Sequence, residues 1–216
     1  MKQRYTVGVD VGSTTVKCVL LDEAGEIVHS VYDRHYSKVK ETVTEQLKRI
    51  FSFYSGEFKI AMTGSAGLGL SSAASLPFVQ EVYAASLAIK KMYPDADCAV
   101  ELGGEDAKIL FLTGGTEQRM NGSCAGGTGA FIDQMATLLK VSADELDELA
   151  FKAERKYPIA SRCGVFAKSD IQPLLNQGAE LGDVAASIFQ AVVDQTVAGL
   201  AQGRRIEGKV LFLGGS

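Results

Sequence analysis

Two stretches, Asp10-Val-Gly-Ser-Thr-Thr-Val-Lys17 and Glu101-Leu-Gly-Gly-Glu-Asp-Ala-Lys108, decide the fold of this chain. In each of them an acidic residue ends an apolar run, a glycine-containing turn follows, and a lysine lies in the next apolar run. An ungapped offset of 91 residues aligns the acids, the first glycines and the lysines, and it also places Glu26 on Glu117. We interpret this match as an internal duplication, because repeated units are the strongest organising signal a sequence can carry. The alternative is that two unrelated glycine-turn hairpins align by chance.

The residues around these stretches predict an α/β fold. Short or alternating apolar runs predict strands, and apolar residues at helical spacing predict helices. The expected strands are 5–10, 16–21, 26–32, 58–62, 97–102, 107–112, 117–121 and 210–213. The expected helices are 38–54, 76–91, 128–139, 143–155, 169–177 and 182–202. Each half of the chain therefore starts with a three-stranded meander, and we place the first half at residues 1–85 and the second at 86–216.

Composition excludes several classes of protein. The 216 residues are 46% hydrophobic and 22% charged, which does not fit a disordered chain, a collagen or a coiled coil. A net charge of −4 argues against a broad nucleic-acid surface. The sequence shows no apolar run close to a membrane span and no apolar signal core at its start. We therefore expect a cytoplasmic protein that binds neither nucleic acid nor membrane.

The first stretch has the chemistry of a phosphate-binding turn, and we call residues 10–17 the first loop. Its backbone N–H groups and three hydroxyls suit phosphate oxygens, Lys17 can neutralise charge, and Asp10 can hold Mg²⁺ directly or through water. The chain contains no G-x-x-x-x-G-K-[ST] motif, so this is not a P-loop. A plain polar hairpin turn remains the alternative. Residues 101–108, the second loop, repeat the arrangement.

Two further glycine-rich segments follow in order. Gly126-Gly-Thr-Gly129 precedes an expected helix, where backbone N–H groups favour an anion, and Leu213-Gly-Gly-Ser216 ends the last strand with small residues. The candidate nucleotide-binding residues are Gly12, Ser13, Thr14, Thr15, Lys17, Gly103, Gly104, Asp106, Gly126, Gly127, Thr128, Gly214 and Gly215. The candidate catalytic residues are Asp10 and Glu105.

The series DVGSTTVK, ELGGEDAK, GGTG and LGGS resembles the actin-like ATPase superfamily. Within it, the segments Asn121–Ala136 and Ser161–Asp170 resemble the activators of 2-hydroxyacyl-CoA dehydratases, and with them the BadF/BadG/BcrA/BcrD-type ATPases. The resemblance covers residues 5 to 216. It implies an actin-like fold of two duplicated, ribonuclease H-like α/β halves around a nucleotide cleft. It also implies an ATPase that drives one electron to a CoA-thioester dehydratase or reductase.

The cofactors that the resemblance implies are ATP, Mg²⁺ and a [4Fe–4S] cluster shared by the two subunits of a homodimer. Cys124 and Cys163 match the two cysteines that bind this cluster. A cubane takes four thiolates, and one chain offers only two cysteines in suitable glycine-rich turns, so two chains are needed. The alternative is a pair of buried apolar cysteines. We expect Cys18 and Cys98, which lie in strands, to be core residues.

The sequence departs from the family in two places. The family carries Gln in the second loop, as GGQD, where this chain has Glu105. The family also continues beyond the LGG motif, so we expect a truncated C-terminal end. Two other functions stay open, a small-molecule kinase of the same fold and a non-enzymatic actin-like regulatory module. His29 and His35 match no ligand spacing and are expected at the surface or an edge.

Overall fold

A computed structural model describes residues 3–121, 126–161 and 163–214, and its contacts divide the chain into two units. The units are Met1–Pro94 and Asp95–Ser216. This division lies a few residues after the expected boundary at 85 and 86, which falls inside the helix Glu81–Met92.

The first unit is built on a four-stranded sheet. Its strands are β1 (Arg4–Val11), β2 (Thr15–Leu21), β3 (Ile27–Arg34) and β4 (Glu57–Thr63), in the order β3-β2-β1-β4. The meander is antiparallel and β4 pairs with β1 in parallel. Alternate apolar residues of β1 and β2 point to one buried face, which is why these segments form half-covered strands.

Helix α1 (Val39–Phe53) covers the buried face of this sheet. It buries Val43, Gln46 and Ile50, which lie at helical spacing toward the core that the β1 and β2 valines form. The predicted helix over 76–91 is wrong in its first third. Residues Gly67–Ala74 form a separate helix, α2, and α3 begins only at Glu81 (Glu81–Met92).

Proline explains that correction. Pro77 disfavours helical backbone at Leu76, and the Pro77 carbonyl accepts a hydrogen bond from the Met62 N–H at 2.9 Å. Val79 donates to the Met62 carbonyl at 2.8 Å, so residues 77–79 run beside β4 as a short bridge instead of a helical turn.

The second unit repeats the sheet. Its strands are β5 (Cys98–Leu102), β6 (Ala107–Phe111), β7 (Glu117–Met120) and β8 (Val210–Gly214), in the order β7-β6-β5-β8. The meander is again antiparallel, and the fourth strand again pairs in parallel with the first. The two sheets therefore share one topology.

The hairpins also share one register. Asp10 pairs with Lys17 and Glu101 with Lys108, so the offset of 91 residues holds through the first two strands. It fails in the third strand. Glu117 pairs with Phe111, which corresponds to Leu20, and Leu20 pairs with His29 instead of Glu26. The expected equivalence of Glu26 and Glu117 is therefore wrong, because the β2–β3 hairpin has one further pair, Leu21 with Ile27, and a register shift at Leu20/Leu21.

Four helices form the main core of the second unit. They are α4 (Gly129–Leu139), α5 (Ala143–Ala150), α6 (Gly164–Asn176) and α7 (Leu181–Asp194), and their buried residues form one apolar cluster. Ser142 and Glu145 form the expected capping box at the start of α5. Helix α6 begins five residues before the predicted start at 169, and the helix predicted over 182–202 changes to π-helix at Gln195–Ala201.

One segment of the described residues, Leu181–Ala201, is long and apolar enough to cross a membrane. About half of it, 56%, is buried inside the protein, as in a core helix of a soluble protein. Length and composition alone are weak evidence for a membrane span.

Candidate functional site

The first loop connects β1 to β2 and places two opposite charges side by side. Asp10 and Lys17 are cross-strand partners, and their side chains form an ion pair with 3.4 Å between Oδ2 and Nζ. About a third of each side chain is exposed, 33% for Asp10 and 35% for Lys17. The Gly12 N–H donates to the Thr15 carbonyl at 2.9 Å and closes the turn. The half-buried residues Ser13, Thr14 and Thr15 complete the loop.

His35 lies against this loop, and sequence reasoning missed it. It follows the edge strand β3, but the expectation of a surface position is wrong, because His35 is only 6% exposed. Its ring Nε2 lies 3.2 Å from the Gly12 carbonyl oxygen, and its backbone N–H donates to the Thr14 carbonyl at 3.1 Å. The observed register explains this contact, since Arg34 pairs with Thr15 and the next residue therefore lies beside Thr14.

A second neighbour of Asp10 comes from β4. Thr63 is the parallel cross-strand partner of Asp10, and Gly64 follows it with φ +93°. A side chain at Gly64 would collide with the Val11 carbonyl and the Asp10 carboxylate. Position 64 therefore requires glycine where β4 passes the end of β1. Among the residues that the structure describes, the buried Thr63 hydroxyl oxygen has no hydrogen-bond partner.

The second loop has the same trace but a different charge arrangement. Lys108 is almost fully buried, and its Nζ lies 3.1 Å from Asp106 Oδ2 and 3.8 Å from Glu101 Oε2. The Gly103 N–H donates to the Asp106 carbonyl at 2.8 Å, which matches the bond between Gly12 and Thr15. Glu105 is exposed in this loop, beside Gly104. The lysine of the second loop is thus held by two carboxylates of its own unit.

The segment Gly126-Gly127-Thr128 is buried and leads into α4. Gly127 adopts φ +78°, and any side chain there would press on Gln195 of the π-helical segment. The first two residues of α4 bind the second loop, because Gly129 donates to the Gly103 carbonyl at 2.9 Å and Ala130 to the Gly104 carbonyl at 2.8 Å. The structure therefore brings these two predicted motifs together within the second unit.

Gly214 ends β8 beside the second loop. It pairs with Leu102 and has φ +124°, and a side chain there would collide with the Leu102 carbonyl. Leu102 is the equivalent of Val11, so Gly214 corresponds to Gly64. The other predicted glycine of this turn, Gly215, lies outside the described residues.

Of the two predicted cluster ligands, one is described. Cys163 is a free, partly buried thiol at the N-cap of α6, and Cys124 lies outside the described residues. Cys18 and Cys98 are buried in strands, which confirms them as core residues. Burial, with Asp33 and Asp10 nearby, raises the pKa of the Cys18 thiol to about 12. Burial also raises the pKa of Cys98.

Across 3–121, 126–161 and 163–214, no group of three or more His, Cys, Asp or Glu side chains could hold a metal ion. Each of the two implied metal sites would take fewer than three protein ligands from the described residues. A shared cluster draws only part of its thiolates from one chain, and nucleotide-bound Mg²⁺ takes one or two carboxylates with phosphates and waters. Asp10 and Cys163 have the donor chemistry and partial exposure for these two roles.

Comparison with known proteins assigns this chain to a family. It is 31% identical to the (R)-2-hydroxyglutaryl-CoA dehydratase activating ATPase of Acidaminococcus fermentans, over 98% of this chain and 82% of the relative. It is 28% identical to the 2-hydroxyisocaproyl-CoA dehydratase activator of Clostridioides difficile, over 98% and 80% of the two chains.

Solved structures agree with the sequences. The crystal structure of the A. fermentans protein matches with a TM-score of 0.84 at 30% identity, over 98% of this chain and 83% of that one. The C. difficile activator with bound ADPNP matches with a TM-score of 0.86 at 28% identity, over 98% and 80%. These matches confirm the predicted α/β, actin-like ATPase fold. A model of the BadF/BadG/BcrA/BcrD ATPase family matches residues 7–216, and the chain belongs to that ATPase family.

Proposed function

We propose that this protein is an activator that hydrolyses Mg·ATP and passes an electron to a CoA-thioester dehydratase or reductase. The observation that carries the proposal is the first loop, where a partly exposed Asp10–Lys17 pair flanks a turn of backbone amides and hydroxyls. The relatives also support the proposal, since one is a 2-hydroxyglutaryl-CoA dehydratase activating ATPase and another is a 2-hydroxyisocaproyl-CoA dehydratase activator. The bound ADPNP of the C. difficile activator supports a nucleotide site in this fold.

In the first unit, each loop residue has a role in binding the nucleotide. Asp10 holds Mg²⁺ directly or through water, and Lys17 neutralises phosphate charge. Gly12, Ser13, Thr14 and Thr15 supply a narrow turn whose N–H and O–H groups bind phosphate oxygens. Mg²⁺ polarises the phosphoryl oxygens when it is bound. Lys17 is close enough to Asp10, at 3.4 Å, to keep that carboxylate paired before nucleotide arrives.

In the second unit, the proposed binding residues are those of the second loop and the segment bonded to it. Gly103, Gly104 and Asp106 form the loop, and Gly126, Gly127 and Thr128 lead into α4. Gly214 and Gly215 complete the set. Glu105 is proposed as a catalytic carboxylate that orients water, and its exposed position leaves its side chain accessible.

Cys163 and Cys124 are proposed to hold the [4Fe–4S] cluster with the same two cysteines of a second subunit. A bound cluster supplies a one-electron donor. Metal ligation requires a thiolate, which a raised pKa opposes, so Cys18 and Cys98 are poor ligands. Cys163 is partly buried and precedes a 13-residue helix, whose N-terminus favours the negative charge of a thiolate.

Anaerobic reconstitution with iron and sulfide tests this proposal. The wild type should gain colour and stoichiometric iron, and Cys163→Ser should lose both, because each substitution removes two of four ligands from a dimer. The matched control Cys18→Ser should keep the iron and lose only packing stability. Loss of iron in the Cys18 variant with retention in the Cys163 variant would contradict the assignment.

Hydrolysis of ATP by the reconstituted protein is the second measurement. We expect phosphate release that depends on Mg²⁺ and delivery of one electron to a dehydratase component in its presence. An iron-containing protein that never hydrolyses ATP would refute the ATPase assignment, and release of a phosphorylated small molecule would favour a kinase.

A further inference from the structure

Two bonds connect His35 to the first loop. Its backbone N–H donates to the Thr14 carbonyl at 3.1 Å, and its ring Nε2 faces the Gly12 carbonyl oxygen at 3.2 Å. These two carbonyls lie on either side of Ser13, at the centre of the loop. The residue is only 6% exposed, so water does not compete freely for the ring contact.

The bonds of the imidazole fix its tautomer. The Ser37 N–H lies 3.1 Å from Nδ1, which must therefore accept a hydrogen bond. A carbonyl oxygen can only accept, so Nε2 must carry the proton that it donates to Gly12. Both contacts are satisfied by one form of the ring, the neutral Nε2–H tautomer.

The turn that presents this ring has unusual backbone geometry. Tyr36 and Ser37, the two residues after His35, have φ values of 45° and 64°, in the left-handed region that non-glycine residues rarely adopt. Lys38 donates to the His35 carbonyl at 2.7 Å and closes the turn. Strained backbone of this kind persists where its surroundings hold it, and it concentrates at functional sites.

The contact between His35 and the Gly12 carbonyl also fixes the orientation of the Gly12–Ser13 peptide. Gly12 C=O and Ser13 N–H belong to the same peptide, and the described chain has no cis peptide bond. In a trans peptide the C=O and N–H point in opposite directions. When the Gly12 carbonyl faces the His35 ring, the Ser13 N–H must face away from that ring.

We propose that His35 is a positioning residue of the nucleotide loop. By holding the Gly12 carbonyl, it fixes the Ser13 N–H in the direction needed to bind a phosphate oxygen of Mg·ATP. This inference rests on the proposed nucleotide binding. His35 itself contacts the loop and does not act on the phosphates.

The second loop shows the same carbonyl held by another donor. Gly103 is the equivalent of Gly12, and its carbonyl accepts the backbone N–H of Gly129 at 2.9 Å. Both loops therefore fix this carbonyl from outside the hairpin. The second unit uses the first residue of a helix, whereas the first unit uses an imidazole side chain that substitution can remove.

Binding of Mg·ADPNP to three variants, measured by calorimetry, tests the proposal. His35→Leu keeps a similar volume without a donor and should weaken binding about tenfold, or about 1.4 kcal/mol. His35→Gln keeps an N–H donor near the Nε2 position and should stay within about threefold of wild type, by the same conversion about 0.7 kcal/mol. His29→Leu, the control at the other histidine, should bind as wild type does.

The outcomes separate this proposal from the proposed function. No binding by the wild type would overturn both. Normal binding by His35→Leu, or equal weakening of the Leu and Gln variants, would overturn the role of His35 alone. Should His35→Leu fail to fold, the nitrogen NMR spectrum of the wild-type imidazoles decides. A neutral Nε2–H tautomer at His35 supports the contact with Gly12, and an Nδ1–H tautomer overturns it.

Discussion

The first and second loops have the same backbone and different electrostatics. In the first, Asp10 and Lys17 form a single pair, and about a third of each side chain remains accessible. In the second, Lys108 is 5% exposed and lies between Glu101 and Asp106. A lysine that is buried against two carboxylates of its own unit stabilises the fold. In a partly exposed pair, each side chain can instead bind a ligand in place of its partner. The duplicated hairpins have therefore diverged in their electrostatics, since the charged pair of the first loop remains partly exposed and the lysine of the second loop is buried against carboxylates of its own hairpin.

The largest expected effect is on stability and separates the two lysines. Lys108→Met should lower the free energy of unfolding by about 3 kcal/mol, because it leaves two carboxylates close together without their cation. Lys17→Met should cost less than about 1 kcal/mol, as expected for a partly exposed pair. Urea denaturation of both variants measures the difference. Equal losses would mean that the two ion pairs are equivalent.

The glycines at the end of the fourth strand of each sheet, Gly64 directly after β4 and Gly214 as the last residue of β8, test the duplication itself. Gly64→Ala and Gly214→Ala should each destabilise the protein by about 2 kcal/mol, because both positions combine positive φ with contact against a strand-end carbonyl. Gly69→Ala is the control. It has open space around it in helix α2 and should stabilise the protein by about 0.5 kcal/mol. Tolerance of alanine at Gly64 but not at Gly214 would break the equivalence.

The smallest expected effect on stability concerns a difference between the fourth strands of the two sheets, β4 and β8. Thr63 presents a buried hydroxyl beside Asp10, and its equivalent in the second unit is the apolar Leu213. Thr63→Val keeps the shape and removes a hydroxyl that lacks a partner among the described residues. The free energy of unfolding should therefore stay level or rise by up to about 1 kcal/mol. A clear loss of stability in thermal denaturation would show that the hydroxyl is already satisfied.

Most strands and the hairpin duplication could be predicted because the signal is local. The apolar residues of β1 and β2 alternate, and the acid, glycine and lysine recur at one offset. The third strand could not be aligned in that way, because the sequence does not indicate the additional pair and the register shift at the end of the β2–β3 hairpin. Only the pairing of Leu20 with His29 shows where the offset ends.

Two features of the candidate site depend on tertiary packing. The contact of His35 with Gly12 joins residues 23 positions apart through the order of the strands, and no local pattern around His35 indicates it. Lys108 occupies the same motif position as Lys17, so the sequence predicts similar roles. Lys108 is nevertheless only 4% exposed, so its burial could not be predicted from the motif that it shares with Lys17.

The helix predictions failed where backbone geometry overrides periodicity. Pro77 delays α3 to Glu81, and the apolar pattern over 182–202 does not reveal the change to π-helix at Gln195. That change lies where a side chain at Gly127 would press on Gln195. π-Helical turns often occur at functional sites, and this one contacts the segment that contains the candidate binding residue Gly127.

ATP hydrolysis by the matched variants Asp10→Asn and Glu101→Gln tests most directly the claim that the first loop carries the nucleotide chemistry. We expect Asp10→Asn to lose at least about 100-fold in kcat with little change in unfolding, because the substitution removes the proposed Mg²⁺ ligand and no core volume. Glu101→Gln should keep kcat within about tenfold of wild type and lose stability instead, because it weakens the buried contacts of Lys108. Undiminished hydrolysis by Asp10→Asn would contradict the account.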